Sequence, residues 1–190
     1  MEQVETLLAA GVQCIQLRLK VTPDAKALEQ TAQAIQFAKQ HPAMVVVNDR
    51  VDMALLAQAQ GLHLGEEDMP VPVARRLLGA GVLIGKTVRS LEQAKVAQEE
   101  GADYVGFGPV FETKTKPMPM AALGLEALAH VARHSLLPVV AIGGLGVANM
   151  AQAAKAGAHA VAVIADIWQA AEPLQQALAL QQLFAKAVPL

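Results

Sequence analysis

Along this chain, apolar positions change their rhythm at regular intervals. Ala-rich stretches with apolar residues every three or four positions give way to short β-branched runs, and a glycine stands at the change at Gly11, Gly61, Gly81, Gly101 and Gly157, a proline at Pro42 and Pro138. A glycine after a helical pattern reads as a left-handed C-cap, and the run behind it as a buried strand. The pattern predicts a first helix over 2–10 and strands near 13–18, 44–48, 62–65, 82–86, 103–107, 139–142 and 160–164. Further helices fall over 24–40, 91–100, 121–135, 147–156 and 170–187. Alternating strands and helices imply parallel pairing with right-handed crossovers.

Two architectures satisfy that alternation, an open doubly wound sheet or a barrel. The first calls for G-x-G-x-x-G at the first strand–helix turn, which is lacking. The glycine-rich segments Gly106-Phe107-Gly108 and Gly143-Gly144-Leu145-Gly146 come late instead. A (β/α)8 TIM-type barrel keeps its phosphate site near the last strands, so the expected fold is such a barrel, a single domain over 1–190. Seven strands are visible and none precedes the 2–10 helix, so the first strand is expected to be missing, with the gap between the 13–18 and 160–164 strands and a native start upstream of Met1 as one explanation.

Composition narrows the functional classes. Hydrophobic residues make up 54% of the 190 and charged residues 17%, which excludes disorder. A formal charge of -2 leaves no nucleic-acid footprint. Polar residues interrupt every apolar run before it reaches membrane-spanning length. The single Cys14 and the polar N-terminus fit a cytoplasmic protein.

Chemistry-bearing residues gather after strand ends, where parallel barrels build active sites. In Ile15-Gln16-Leu17-Arg18-Leu19-Lys20 the polar positions alternate, so Gln16, Arg18 and Lys20 share one face. A solvated edge strand would show the same alternation; in a strand covered by helices, two cations on one face ask for an anion. Asp49 and Asp68 suit a hard cation completed by substrate phosphates, although each also reads as a helix N-cap. Thr87 follows the fourth strand. Thr113, Lys114, Thr115 and Lys116 fit a loop that closes over a polyphosphate, or an ordinary surface loop. Gly143-Gly144 and Ile164-Ala165 offer main-chain N–H groups for a phosphate monoester.

The ordered set IQLRLK, NDR, GLHLGEED, YVGFGPVFETKTK, VVAIGGL and AVAVIADI resembles the thiamine-phosphate synthase family from Met1 to about Ala170. That resemblance implies a cytoplasmic transferase that couples a hydroxymethylpyrimidine diphosphate to a thiazole phosphate and releases diphosphate with Mg²⁺. By matching position it implies that Gln16, Arg18 and Lys20 hold the pyrimidine diphosphate, with Asn48 beside the ring. Asp49 and Asp68 take Mg²⁺, and Thr87 stands where serine is usual. Thr113 and Thr115 meet the thiazole phosphate, Lys116 meets the diphosphate, and Gly144, Ile164 and Ala165 cradle the phosphate. Arg18, Lys20 and Lys116 are the catalytic cations, since the charge to be stabilised develops on the leaving group. Small-molecule substrates are the expected partners, with no nucleic acid, no membrane and a homo-oligomer as the assembly. The chain departs from the pattern at Leu19, where an acid is common, and at Ala165-Asp166, where Ser-Ala is usual; Asp166 is expected to cap the last helix or compete with phosphate. Two other readings stand beside this one: an isomerase of the thiazole tautomerase kind, which has a histidine at the place of Pro109, and a degenerate barrel that binds thiamine precursors without catalysis.

Overall fold

The structure is a computed structural model and describes residues 1–113 and 121–188. These gather in two units, Met1–Lys86 with Glu100–Ala102, and Thr87–Glu99 with the chain from Asp103 onward. In both, strands neighbour in chain order, and every paired ladder is parallel.

The first unit runs α1 (Glu2–Ala9), β1 (Cys14–Leu17), α2 (Asp24–Ala38), β2 (Met44–Asn48), α3 (Val51–Leu56), β3 (Gly61–Leu64), α4 (Val71–Leu78) and β4 (Leu83–Val88), the last two residues of which fall in the second unit. Helix α2 buries Ala27, Thr31, Ala34, Ile35 and Ala38, the three-and-four spacing of a single apolar stripe. Its alanines let the helix approach Val45, Val46 and Val47, which are buried on both faces of the sheet. Register pairs Gln16 with Val46, Asn48 with His63 and Leu64 with Lys86. Those pairings bring the polar ends of neighbouring strands level.

The second unit carries α5 (Leu91–Glu99), β5 (Tyr104–Phe107), α6 (Gly124–His134), β6 (Val139–Ile142), α7 (Met150–Lys155), β7 (Ala160–Ala162), α8 (Ala165–Trp168) and α9 (Pro173–Ala187). Val105, Phe107, Val139 and Ala141 are buried between sheet and helices, with Leu128 and Val131 of α6 and Ala153 and Ala154 of α7 also buried.

Several boundaries shift from the pattern-based ones. Strand β1 stops at Leu17, so Arg18 and Lys20 lie in the loop beyond it. Strand β4 continues through Val88, which puts Thr87 inside the strand instead of after it. Strand β7 is only three residues, and Ile164 already turns the chain into α8. Of the punctuating glycines, Gly11, Gly101 and Gly157 hold φ of +93°, +92° and +93° and switch the chain from helix to strand. At the other two changes the left-handed step falls earlier, on Gln58 (φ +56°) and Gly79 (φ +78°), because α3 ends at Leu56 and α4 at Leu78. No helix of the described residues is long and apolar enough to cross a membrane.

Candidate active site

In the first unit the residues singled out by type converge at the C-terminal ends of β1, β2 and β3. Burial alternates along β1 and its extension: Gln16, Arg18 and Lys20 are exposed, and Leu17 is buried between them. At the end of β2 the chain bends sharply. Asp49 takes φ of +63°, a conformation that Asp and Asn tolerate better than other side chains. Its N–H donates to the His63 carbonyl at 2.8 Å, and the Arg50 N–H returns to the Asn48 carbonyl at 2.7 Å. This bend presents the Asp49 carboxylate, and Lys20 Nζ rests on Asp49 Oδ2 at 2.6 Å.

Asp68 arrives from the next loop. The Gly65 N–H donates to Asp68 Oδ2 at 2.6 Å, and the Asp49 and Asp68 carboxyl groups are close enough that each shifts the titration of the other. Their titrations part accordingly. Burial pushes the Asp49 carboxyl up, but the bond from Asp68, Lys20 and the charge of Arg18 together outweigh it and hold Asp49 below its ordinary value. Burial and then the Asp49 bond raise Asp68, only partly opposed by the Gly65 N–H and Lys20. The helix N-cap alternative fails for both. The cap residue of α3 is Arg50 and that of α4 is Pro70, and neither helix has a side-chain cap bond.

A cavity of about 220 Å³ opens beside Asp49, with Leu17, Leu19, Val47 and Met53 among its apolar lining and Lys20, Asn48, Asp49 and Arg50 among its polar lining. Leu19 is half-buried and lines this cavity, whereas Arg18 is exposed. Arg50 forks onto Asp52 and reaches Asp24 Oδ1 at 2.9 Å. It ties the start of α2 to the start of α3, although such exposed pairs contribute little stability.

The donor set fits a hard divalent cation. Two carboxyl groups are near enough to shift each other's titration, and a cation, Lys20, already rests on one. Among the described residues no group of three or more His, Cys, Asp or Glu side chains forms a fuller cage. One or two carboxylates completed by water and substrate phosphate is the usual Mg²⁺ arrangement.

In the second unit, Gly144 takes φ of +67° and packs its backbone so closely on Phe111 and Glu112 that a Cβ would collide with both. Asn149 folds back over the same loop, donating to the Gly144 carbonyl at 2.8 Å and accepting from the Gly146 N–H at 3.0 Å. Reading by residue type misses Asn149, though an Asn ahead of a helix and five residues after a glycine pair was the available signal. Asp166 does not cap the last helix. Its Oδ2 accepts from the Val147 N–H at 3.3 Å and from Gln176 Nε2 at 2.6 Å, so it latches α8 to the glycine loop and to α9. Thr113 and Ala165 are half-buried and Ile164 is exposed. Thr115 and Lys116 lie outside the described residues.

The model of the family described as thiamine monophosphate synthase matches residues 1–167. The chain belongs to that family. A thiamine-phosphate synthase of Myxococcus xanthus is 49% identical over 183 residues, covering 96% of this chain and 84% of the relative. One from Anaeromyxobacter dehalogenans is 47% identical over 182 residues, covering 96% and 82%. Among solved structures, a thiamine phosphate pyrophosphorylase of Pyrococcus furiosus superposes with a TM-score of 0.90 at 34% identity, over 99% of this chain and 90% of that one. The fold is thus of the TIM-type α/β class with one strand fewer than eight. The chain is an enzyme of this family, a transferase of thiamine biosynthesis that acts on small molecules.

Proposed function

We propose that this chain joins a hydroxymethylpyrimidine diphosphate to a thiazole phosphate, giving thiamine phosphate and free diphosphate, and that it does so as a single catalytic domain. The observation that carries the reading is the Lys20–Asp49–Asp68 cluster, in which a cation and a carboxyl pair meet at the strand ends of a chain related to thiamine-phosphate synthases at 49% identity.

The chemistry asks little proton transfer of the protein. The diphosphate departs from the pyrimidine methylene, and the thiazole nitrogen, which has no proton to lose, attacks the resulting cation. Stabilising the negative charge of the leaving group is therefore the main task. Arg18, Lys20 and Lys116 supply positive charge for it, and Lys20 moves from the Asp49 carboxylate to the diphosphate when substrate binds. Gln16 and Asn48 hold the pyrimidine; Thr113, Thr115, Gly144, Ile164 and Ala165 hold the thiazole phosphate, and Thr87 is a further substrate-binding residue. Asp49 and Asp68 hold Mg²⁺, which when bound neutralises diphosphate charge. Formation of a homo-oligomer belongs to the same reading and is checked by analytical ultracentrifugation.

The test is diphosphate release with both substrates, with and without Mg²⁺, alongside isomerisation of the thiazole alone. Release that needs both substrates and Mg²⁺ supports the reading; isomerisation without release overturns it. Asp49→Asn and Asp68→Asn should each lose about tenfold or more in rate, the effect of about 1.4 kcal/mol of transition-state stabilisation, with folding intact by circular dichroism. Wild-type rates and Mg²⁺ dependence in both would remove the metal assignment.

A further inference from the structure

Lys86 belongs to none of the groups considered so far. The ladder pairs it with Leu64, one residue short of Gly65, so its side chain runs along β3 toward the loop that carries Asp68. There Lys86 Nζ donates to the Gly65 carbonyl at 2.7 Å. The same carbonyl accepts, more weakly, from the Asp68 N–H at 3.4 Å. On its other side Gly65 donates its own N–H to Asp68 Oδ2 at 2.6 Å, and a Cβ at Gly65 would stand 2.8 Å from that oxygen. Both main-chain groups of Gly65 are thus engaged in the turn over 65–68, and Lys86 supplies the charged bond from outside it.

We propose that Lys86 is a positioning residue for the acidic pair: by holding the Gly65 carbonyl it closes the 65–68 turn and sets the Asp68 carboxyl against Asp49. The turn has a reason to need this. It carries three acidic side chains in a row, Glu66, Glu67 and Asp68, whose repulsion favours an open loop. A charge-assisted bond to the turn's own carbonyl counters that repulsion and fixes geometry at once. The inference rests on the reading above, in which Asp49 and Asp68 hold a divalent cation, and partners that orient metal ligands typically influence affinity 10–100-fold.

Two measurements test it, one of them without any metal. In the metal-free protein the Gly65 amide proton, bonded to a carboxylate, should resonate downfield and move upfield in Lys86→Met. In the presence of inorganic diphosphate, Mn²⁺ affinity read by electron paramagnetic resonance should fall about tenfold in Lys86→Met, with the KM for Mg²⁺ rising in step and kcat at saturating Mg²⁺ falling less. Lys86→Arg, which keeps a charged donor, should restore most of both. Should Lys86→Met not fold, Lys86→Gln, whose shorter side chain leaves the carbonyl out of reach, is read the same way. An unmoved Gly65 amide, or Mn²⁺ affinity within about twofold of wild type, overturns the proposal. Asp68→Asn separates the two ideas: if it leaves Mn²⁺ affinity unchanged the metal assignment falls, and the Gly65 amide alone then decides whether Lys86 sets the turn.

Discussion

Burial holds the His63 imidazole at a pKa of about 4, well under its ordinary 6.5, with the Asp49 charge opposing that fall and Lys86 adding to it. The folded protein therefore carries His63 neutral, while the unfolded chain takes up a proton as the pH drops below about 6.5. Stability from this residue is complete above that value and is lost as the pH falls toward 4, by about 3 kcal/mol in all. Urea melts at pH 7 and pH 4.5 should show most of that loss, and His63→Gln should lose less between the same two pH values; equal losses would mean that His63 does not titrate as its burial requires. At Asp166 the sequence pattern points to a cap on the last helix, and the structure instead puts the carboxylate on the Val147 N–H and Gln176. Asp166→Ala should free that N–H in the glycine loop and strengthen thiazole phosphate binding a few-fold, an electrostatic gain of about 0.3–1 kcal/mol. It should also lower the melting temperature slightly, because Gln176 loses its partner. Calorimetric titration showing weaker binding would mean that the latch shapes the loop for the ligand.

At the scale of elements, the glycine loop after β6 is held by shape and by one side chain. Gly144 combines a left-handed backbone with a contact on Phe111 and Glu112 that leaves no room for a methyl group. Gly144→Ala should cost about 1–3 kcal/mol from the backbone alone, and more from the collision. Asn149→Ala removes two bonds that span the same loop and should cost about 1–3 kcal/mol by leaving half-buried groups unpaired. Thermal melts rank the two variants, and thiazole phosphate titration should show both losing affinity. If Asn149→Ala binds as wild type, the loop keeps its form without that side chain. Glycine pairs are legible in a sequence because few residues replace them; Asn149 was not, because its type alone also suits an ordinary helix cap.

Across the described residues, β1 stands first and β7 last in the strand order. Residues of β1 alternate between exposed and half-buried before Leu17, and β7 is half-buried to exposed, whereas β3 in the first unit is buried throughout. An edge strand pairs its main chain on one side only. Hydrogen exchange should find the amides of β1 less protected than those of β2 and β3, and those of β7 less protected than those of β5 and β6. Equal protection along each series would show that the edges are covered in solution.

Burial of both sheet faces forces β-branched runs and helical punctuation into a readable pattern, which is why the parallel β/α alternation, the seven strands of the described residues and the family were legible from residue order. Lys20, Asp49 and Asp68 stood out by residue type after strand ends, although a helix cap or a solvated edge would also account for such residues there. Which partners these side chains meet came from the fold. Around Asp49 and Asp68 the structure gathers a left-handed residue at the end of β2, the Gly65 turn and a lysine of β4 bonded to that turn, which no local sequence pattern announces. The same holds for Asp166, whose two partners come from the glycine loop and from α9. Residue type records what a side chain can do, and periodicity records which way an element faces. Which groups meet is set by strand register and loop conformation, and those depend on packing contacts between distant segments.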